Sequence, residues 1–286
     1  MKKLLTIVMA AAIMLTACFS LSACSPKLKY VGANDQLGAL TEVQAGTSDI
    51  AVIDSVMAGY YVNKPNFNDL QILEGSEFTF SNEYYAIGCR KNGNTDEVIT
   101  AVLYHLQQAG TISTIAEKYG LTDVVCTFDA PAKSYETLIS EMEATSDFGK
   151  IKAEGKLYLG YTLFEPIAYE ENDVLIGFDI ELAQAVCAVL ELELVNIKIN
   201  WDTKEDELNS ENIDVIWNGF TYTEQRAENI DFTAFYMSNR QAIVIRKADA
   251  DKYIDYASMK EANFVAESES AGETTIQTII KNKIFG

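Results

Sequence analysis

The chain has 286 residues and a formal net charge of −20, from 22 lysine and arginine residues against 42 aspartate and glutamate residues. Almost half of the residues are hydrophobic and only four are proline, which indicates a globular protein long enough for one large domain or two lobes. The acidic charge argues against nucleic acid as a partner, because phosphate binding needs a basic face, and against simple adsorption to anionic lipid.

Residues 1–24 have the pattern of a lipoprotein signal peptide. A basic start, MKK, precedes the apolar run LLTIVMAAAIML and a stretch of small residues. Residues 21–24, LSAC, resemble a lipobox, and residues 15–18, LTAC, are a second match. We favour Cys24 over Cys18 as the lipidated residue because a polar Ser-Pro-Lys segment follows it directly. The expected result is a chain anchored by lipid to the outer face of the bacterial cell membrane, and an ordinary cleaved signal peptide is the alternative.

The other cysteines and the histidine do not form a recognisable metal or catalytic pattern. Cys89, Cys126 and Cys187 are far apart and lack CxxC spacing, so we predict no zinc site, and the sequence does not decide whether two of them form a disulfide. Cys187 lies in a helical pattern and is expected in the core. His105 has no partner in the sequence that would orient it for catalysis. We therefore predict no metal, no cofactor and no catalytic residue.

Apolar runs along the chain predict strands of an α/β fold. The runs are residues 50–53, 156–162, 213–216 and 262–268. Continuous apolar runs between helical segments are typical of strands covered on both faces, so we expect two α/β lobes with mostly parallel sheets. Ligands of such sheets bind beyond the carboxyl ends of the strands. An aromatic segment, a carboxylate, backbone N–H groups beside an arginine, and a hydroxyl cluster follow the four runs, and this set fits a zwitterion.

Two long segments resemble the amino-acid-binding proteins of polar amino-acid ABC importers, the bacterial extracellular solute-binding proteins of family 3. Residues 154–193 and 201–247 are similar to the family's N-terminal half, with GFDIELA at 177–183 and NGFTYTEQR at 218–226 as the specific elements. Residues 46–62 and 83–121 are similar to its C-terminal half. The resemblance implies a two-lobed type II periplasmic-binding-protein fold. It also implies a non-enzymatic subunit that binds a polar α-amino acid between closing lobes and delivers it to a membrane permease.

The order of these segments is reversed relative to the family, which indicates a circular permutation. Residues ~122–153 would join the family's usual termini. We expect one discontinuous lobe from residues 28–82 plus 245–286, and a continuous lobe from residues 83–244. Two crossings, EYYAIGCRK and RQAIVIRK, would form the hinge, with Tyr85 lining it. A fragment of a tandem protein and an exchange of lobe halves between two chains are the alternatives to a monomer, which we favour because each family element occurs once.

The resemblance implies a role for each candidate residue of the site. Arg226 would bind the ligand's α-carboxylate with its planar guanidinium, Asp54 would receive the α-ammonium, and Phe164 would stack on the ligand. A solvated arginine, a turn aspartate and a core phenylalanine are the corresponding structural interpretations. Gly219 and Thr221 would present backbone N–H groups, and the Thr221 hydroxyl would also reach the ligand.

Ser270 would add a hydroxyl and the N–H groups of a helix N-terminus from the opposite lobe, and it is equally suited to be the N-cap of that helix. Thr223 is expected to be an N-cap. Glu165 would favour a basic or hydrogen-bonding side chain, and Trp217 would contact the ligand or form the wall of the pocket. The candidate ligand-binding residues are Arg226, Asp54, Thr221, Gly219, Phe164, Ser270, Asn218, Phe220, Glu165 and Ala271.

Two other functions use the same lobes. An enzyme such as a dehydratase would need an acid or base, for which Glu165 and Glu267 are the candidates. An amino-acid sensor subunit would signal through closure. The sequence does not identify the amino acid, because side-chain selectivity depends on the shape of the pocket.

Overall fold

The computed structural model describes residues 29–284. The predicted signal peptide, with Cys18 and Cys24, lies outside these residues. Within the described range, no helix is both long enough and apolar enough to cross a membrane.

The strands of the described range are β1 (Lys29–Ala33), β2 (Ile50–Asp54), β3 (Leu70–Ile72), β4 (Glu83–Tyr85), β5 (Gly88–Arg90), β6 (Lys156–Tyr161), β7 (Tyr169–Glu171), β8 (Val174–Ile176), β9 (Glu193–Lys198), β10 (Val215–Ile216), β11 (Ile230–Phe232), β12 (Met237–Asn239), β13 (Gln241–Arg246) and β14 (Asn263–Glu267). The α-helices are α1 (Gln36–Ala45), α2 (Ser55–Tyr61), α3 (Thr95–Gln108), α4 (Thr111–Tyr119), α5 (Tyr135–Glu141), α6 (Asp147–Glu154), α7 (Phe178–Leu190), α8 (Lys204–Asn209), α9 (Glu224–Ala227) and α10 (Ala271–Ile279). Short 3₁₀ turns occur at Pro65–Phe67, Ser76–Phe78, Trp201–Thr203, Lys247–Asp249 and Ala257–Met259, and a π-helical turn, Ile280–Ile284, follows α10.

Two five-stranded sheets of the same design form the frame. The first sheet has the order β1-β14-β2-β13-β3, and the second has the order β9-β6-β10-β5-β11. In each sheet the first three strands of this order are parallel and the remaining pairings are antiparallel. The predicted two-lobed α/β fold is therefore confirmed, and each sheet keeps its parallel strands together on one side.

Two chain segments connect the sheets. Strand β4 pairs with β12 in an antiparallel ribbon, with Tyr85 opposite Met237. From this ribbon β5 enters the second sheet and β13 enters the first. Strand β13 runs antiparallel because it enters at the carboxyl end of β2, where Gln241 pairs with Asp54. The domain boundary predicted after residue 244 falls inside β13.

The first sheet is covered on both faces, which explains its continuous apolar runs. Ile50 and Val52 of β2 share a hydrophobic cluster with Ile276 of α10. The alternate residue Ala51 belongs to the cluster that contains Leu40 of α1. Since neighbouring side chains on a strand point to opposite faces, helices α1 and α10 cover opposite sides of this sheet.

The three cysteines of the described residues are free thiols, and the histidine lies at the surface. Cys89, Cys126 and Cys187 are free thiols, and Cys187 is buried in α7. His105 is exposed on α3 and meets the ring of Tyr135 edge-on, with centroids 5.2 Å apart. Among residues 29–284, no group of three or more histidine, cysteine or acidic side chains is placed to hold a metal ion.

A buried carboxyl fixes the loop that follows β10. Asp179, in the first turn of α7, is fully buried, and its Oδ2 accepts hydrogen bonds from the Gly219 N–H and the Tyr236 hydroxyl, both at 2.7 Å. Gly219 has a φ of +59°, and a Cβ there would lie 2.6 Å from Cε1 of Phe164. Glycine is thus required both by backbone conformation and by space. Burial raises the pKa of Asp179 to about 7.

We expect Asp179 to make the protein less stable as the pH rises. In the unfolded chain the Asp179 carboxyl loses its proton near a pKa of about 3.9, whereas in the folded protein it keeps its proton until about pH 7. Asp179→Asn keeps an oxygen acceptor and removes the titration. The wild type should therefore lose stability relative to this variant, on the order of 1 kcal/mol per pH unit across that window, in urea unfolding. The exposed Asp173→Asn is the control, and parallel stability–pH curves for wild type and Asp179→Asn would contradict the assignment.

The close contact between α10 and β2 is testable through a glycine. A Cβ at Gly272 would lie 2.4 Å from the carbonyl oxygen of Val52, whereas a Cβ at Gly59 in α2 meets nothing within 4 Å. Gly272→Ala should lower the free energy of unfolding by about 1–3 kcal/mol, because the helix must move off the sheet. Gly59→Ala should be neutral or stabilising by up to about 1 kcal/mol, because alanine is the better helix former. Equal unfolding midpoints for the two variants would show that α10 does not contact β2 in this way.

Candidate functional site

A cleft lies between the two sheets, where the carboxyl ends of their parallel strands face each other. It begins at Asp54 from β2 and Glu267 from β14 on one side, and at Thr162 after β6 on the other. The predicted residues that line it are Asp54, Phe164, Asn218, Gly219, Thr221, Arg226, Ser270 and Ala271. The lining residues absent from the predicted set are Gln36, Thr162, Leu163, Trp201 and Glu267. Two predicted residues, Phe220 and Glu165, do not line the cleft.

Arg226 reaches from the second sheet toward a loop of the first. It lies on α9, whose N-cap is Thr223, as predicted: the Thr223 hydroxyl accepts from the Arg226 N–H at 3.1 Å. One guanidinium nitrogen, Nη1, donates to the Thr221 carbonyl at 2.7 Å, and Nη2 donates to the Glu269 carbonyl at 3.1 Å. The half-buried guanidinium therefore spans the cleft.

Phe220, a candidate ligand contact, packs against the Arg226 guanidinium and does not line the cleft. Its ring is fully buried, with the Arg226 Cζ 4.6 Å above the ring centroid and the Trp201 ring edge-on at 5.5 Å. Neighbouring side chains of extended backbone point in opposite directions, so Thr221 faces the cleft and Phe220 faces the core. The sequence motif groups both residues without this distinction.

Glu165, another candidate ligand contact, does not line the cleft either. It is half-buried and lies beside Tyr61 of α2, where burial and the Glu165 carboxylate together raise the pKa of the Tyr61 hydroxyl. Phe164 occupies the cleft position instead, because its backbone pairs with Ala168 and turns the next residue away.

The Gly219 N–H is not available to a ligand, contrary to the prediction. It donates to Asp179 at 2.7 Å. Gly219 therefore lines the cleft without offering its N–H as a donor. The neighbouring Asn218 donates from Nδ2 to the Thr162 hydroxyl at 2.8 Å, while its Oδ1 has no hydrogen-bond partner. Trp217 is fully buried in the core and does not line the cleft.

Asp54 is held by three amide side chains. Its Oδ2 accepts from Gln36 Nε2 at 2.5 Å, and its Oδ1 accepts from Gln241 Nε2 at 2.9 Å and from Asn239 Nδ2. Burial raises the pKa of Asp54, and the three amide donors oppose this rise. A carboxylate has about four acceptor positions, so one position on Oδ2 remains for a further donor.

Ser270 has both the position and the capping role that the sequence indicated. Its hydroxyl oxygen accepts from the Glu273 N–H at 3.2 Å, which makes it the N-cap of α10. The residue before it, Glu269, has a φ of +56°, and its N–H donates to the Glu273 carboxylate at 2.7 Å. This turn presents the Glu269 carbonyl to the second sheet.

Lys204 is a site residue that the sequence did not reveal. It is 4% exposed, and its Nζ donates to the carbonyls of Trp201 at 3.0 Å and Glu269 at 3.2 Å. Burial, and then the charge of Arg226, lowers the pKa of Lys204 to about 8. The Glu269 carbonyl thus accepts from two cationic side chains of the opposite sheet. A lysine at the start of a short helix carries no sequence signal for such a role.

Known proteins are similar to parts of this chain. The sequence model of the bacterial extracellular solute-binding proteins, family 3, matches residues 159–283. The arginine-binding extracellular protein ArtP of Bacillus subtilis is 29% identical over 104 residues, which cover 36% of this chain and 41% of that protein. The ABC transporter arginine-binding protein 1 of Escherichia coli is 27% identical over 144 residues, covering 49% and 57%. The chain therefore spans about half the length of the curated relatives that it matches.

A solved structure shares a larger fraction of identical residues over a shorter segment. A polar amino acid ABC uptake transporter substrate-binding protein from Streptococcus thermophilus is 40% identical, covering 31% of this chain and 34% of that one, with a TM-score of 0.30. The family match of residues 159–283 includes the loop from Thr162 to Phe164, the Asn218–Arg226 element and the Ser270 cap. The chain belongs to the bacterial extracellular solute-binding proteins, family 3.

Proposed function

We propose that this chain is the extracytoplasmic substrate-binding subunit of an ABC importer, and that it binds a polar α-amino acid between two closing lobes. The observation that carries the proposal is the charge arrangement of the cleft. A half-buried arginine on one side faces a buried carboxyl with a free acceptor position on the other. An α-amino acid has the complementary pair of charges. The names of the matching relatives, which bind arginine or other amino acids, support the same class of ligand.

In the proposed complex each charged group of the ligand has a named partner. The α-carboxylate would bind the guanidinium of Arg226, with the Thr221 and Ser270 hydroxyls as further donors. The α-ammonium would take the remaining acceptor position on Asp54, and the ring of Phe164 would cover the ligand's apolar surface. Because the partners come from both sheets, a ligand with both charges stabilises the closed arrangement more than the open one.

We propose residues 28–82 plus 245–286 as one lobe and residues 83–244 as the other, in a circularly permuted order. The first sheet supports this assignment, since β14 from the C-terminal part of the chain lies between β1 and β2 from the N-terminal part. The segment of residues ~122–153, which contains α5, would then join the family's usual termini. The ribbon of β4 and β12 would act as the hinge.

The proposal extends to the location and to the fate of the ligand. We infer that the protein is exported, that Cys24 carries the lipid anchor, and that a membrane permease is its partner. We also infer that the ligand is released unchanged, so the chain acts without catalysis. Recovery of the intact amino acid after prolonged incubation would agree with this, and a chemically altered product would favour the dehydratase-like alternative.

A permuted chain that closes on itself should be a monomer. Size-exclusion chromatography with light scattering should give the mass of one chain at all concentrations, because each strand of both sheets is then supplied within the molecule. A stable dimer would favour exchange of lobe halves between two chains.

Removing either charged partner should weaken amino-acid binding. A thermal-shift screen of the common L-amino acids identifies a ligand, since binding to the folded state raises the melting temperature. Isothermal titration with that ligand should show at least about tenfold weaker affinity for Arg226→Ala and Asp54→Ala, in line with about 1.5–3 kcal/mol for hydrogen bonds to charged groups.

The exposed Arg240 provides the charge-matched control, and Arg240→Ala should keep the wild-type affinity. Thermal unfolding checks that each variant is folded. Unchanged affinity in both Arg226→Ala and Asp54→Ala would refute the proposed site.

A further inference from the structure

Glu267 is a buried carboxyl in the cleft without a hydrogen-bond partner on one of its oxygens. It ends β14, is 4% exposed, and lines the cleft beside Asp54. Its Oε1 has no hydrogen-bond partner, and no lysine or arginine of residues 29–284 forms an ion pair with it within 4 Å. Burial raises the pKa of this carboxyl, and the Asp54 carboxyl beside it raises it further, so a cation that pairs with Glu267 stabilises its ionised form.

The cations closest to Glu267 are already engaged. Lys204 donates to two backbone carbonyls, those of Trp201 and Glu269. Arg226 donates to the carbonyls of Thr221 and Glu269, and in the proposed function it also binds the ligand's carboxylate. The charge of Lys204 acts on Glu267 without forming an ion pair, so among residues 29–284 no lysine or arginine pairs directly with this carboxyl, and a cationic group of the ligand is free to do so.

An α-amino acid with an uncharged side chain leaves Glu267 without that partner. Its ammonium is taken by Asp54, which has one acceptor position left. When both carboxyls of the cleft are ionised, pairing them takes two cationic groups on the ligand, while Arg226 pairs with the ligand's carboxylate.

The surroundings of the cleft have the same sign of charge. A second cavity adjoins it and shares Arg226, Ser270 and Ala271 with it. Its acidic lining residues, which outnumber the cations Lys204 and Arg226, are Glu83, Asp202, Glu205, Asp206, Glu269 and Glu273. An acidic cavity raises the local concentration of cationic ligands, so the neighbouring cavity and the cleft favour the same class of ligand.

We propose that Glu267 is the specificity-determining residue of the cleft and that the ligand is a basic α-amino acid, whose side-chain cation pairs with this carboxyl. The inference rests on the proposed function and adds the class of side chain. A neutral side chain that only donates hydrogen bonds is the competing occupant.

L-Arginine and L-citrulline separate these two occupants, because they have nearly the same shape and differ in the charge of the terminal group. By isothermal titration, the wild type should bind L-arginine or L-lysine at least about tenfold more tightly than L-citrulline, the range expected for a hydrogen-bonded charge. Glu267→Gln should remove most of this preference by weakening the basic ligands. Glu261→Gln, which removes the same charge from an exposed position, should retain it.

The outcomes separate the inference from the proposed function. Tighter binding of a neutral amino acid by the wild type, or an undiminished preference in Glu267→Gln, would overturn the role of Glu267 and leave amino-acid binding in place. No binding of any amino acid by folded protein would overturn both. If Glu267→Gln does not fold, the ratio of arginine to citrulline affinity in the wild type decides the question.

Discussion

The desolvation of charged groups between the two sheets is the constraint on which the cleft depends. Asp54, Glu267 and Lys204 are each at most 6% exposed, and each charge removed from water needs a partner. Side-chain amides donate to the Asp54 carboxyl, and backbone carbonyls accept from the Lys204 ammonium. These partners lie on other secondary-structure elements than Asp54 and Lys204 themselves. The position that it leaves open on Asp54 and the unpartnered oxygen of Glu267 define what a ligand must supply.

The fold brings these groups together because both sheets end their parallel strands at the same interface. Strands β2 and β14 stop at Asp54 and Glu267, and the second sheet continues into the Thr162 and Asn218 loops. The antiparallel crossing strand of each sheet connects the two at the ribbon of β4 and β12. In the proposed function, a small rotation at this ribbon would change the distance between the two sides of the cleft, as hinge closure requires.

Features that depend on local sequence could be predicted, and those that depend on contacts between distant residues could not. Apolar runs gave β2, β6 and β14, and the residues before helical patterns gave the caps Thr223 and Ser270. The Gly219 N–H donates to Asp179, 40 residues away in the sequence. No pattern in the sequence predicts this hydrogen bond. Lys204 likewise acquires its role from a contact between the two sheets, and Gln36 from the packing of α1 on the first sheet, 18 residues before Asp54.

A crystal structure of the protein with a bound L-amino acid would test the proposed site directly. We expect the α-carboxylate within hydrogen-bond distance of the Arg226 guanidinium, about 2.7–3.2 Å, and the α-ammonium at the same distance from Asp54. Electron density for the amino acid outside this cleft, or with its two charged groups reversed between the sheets, would contradict it.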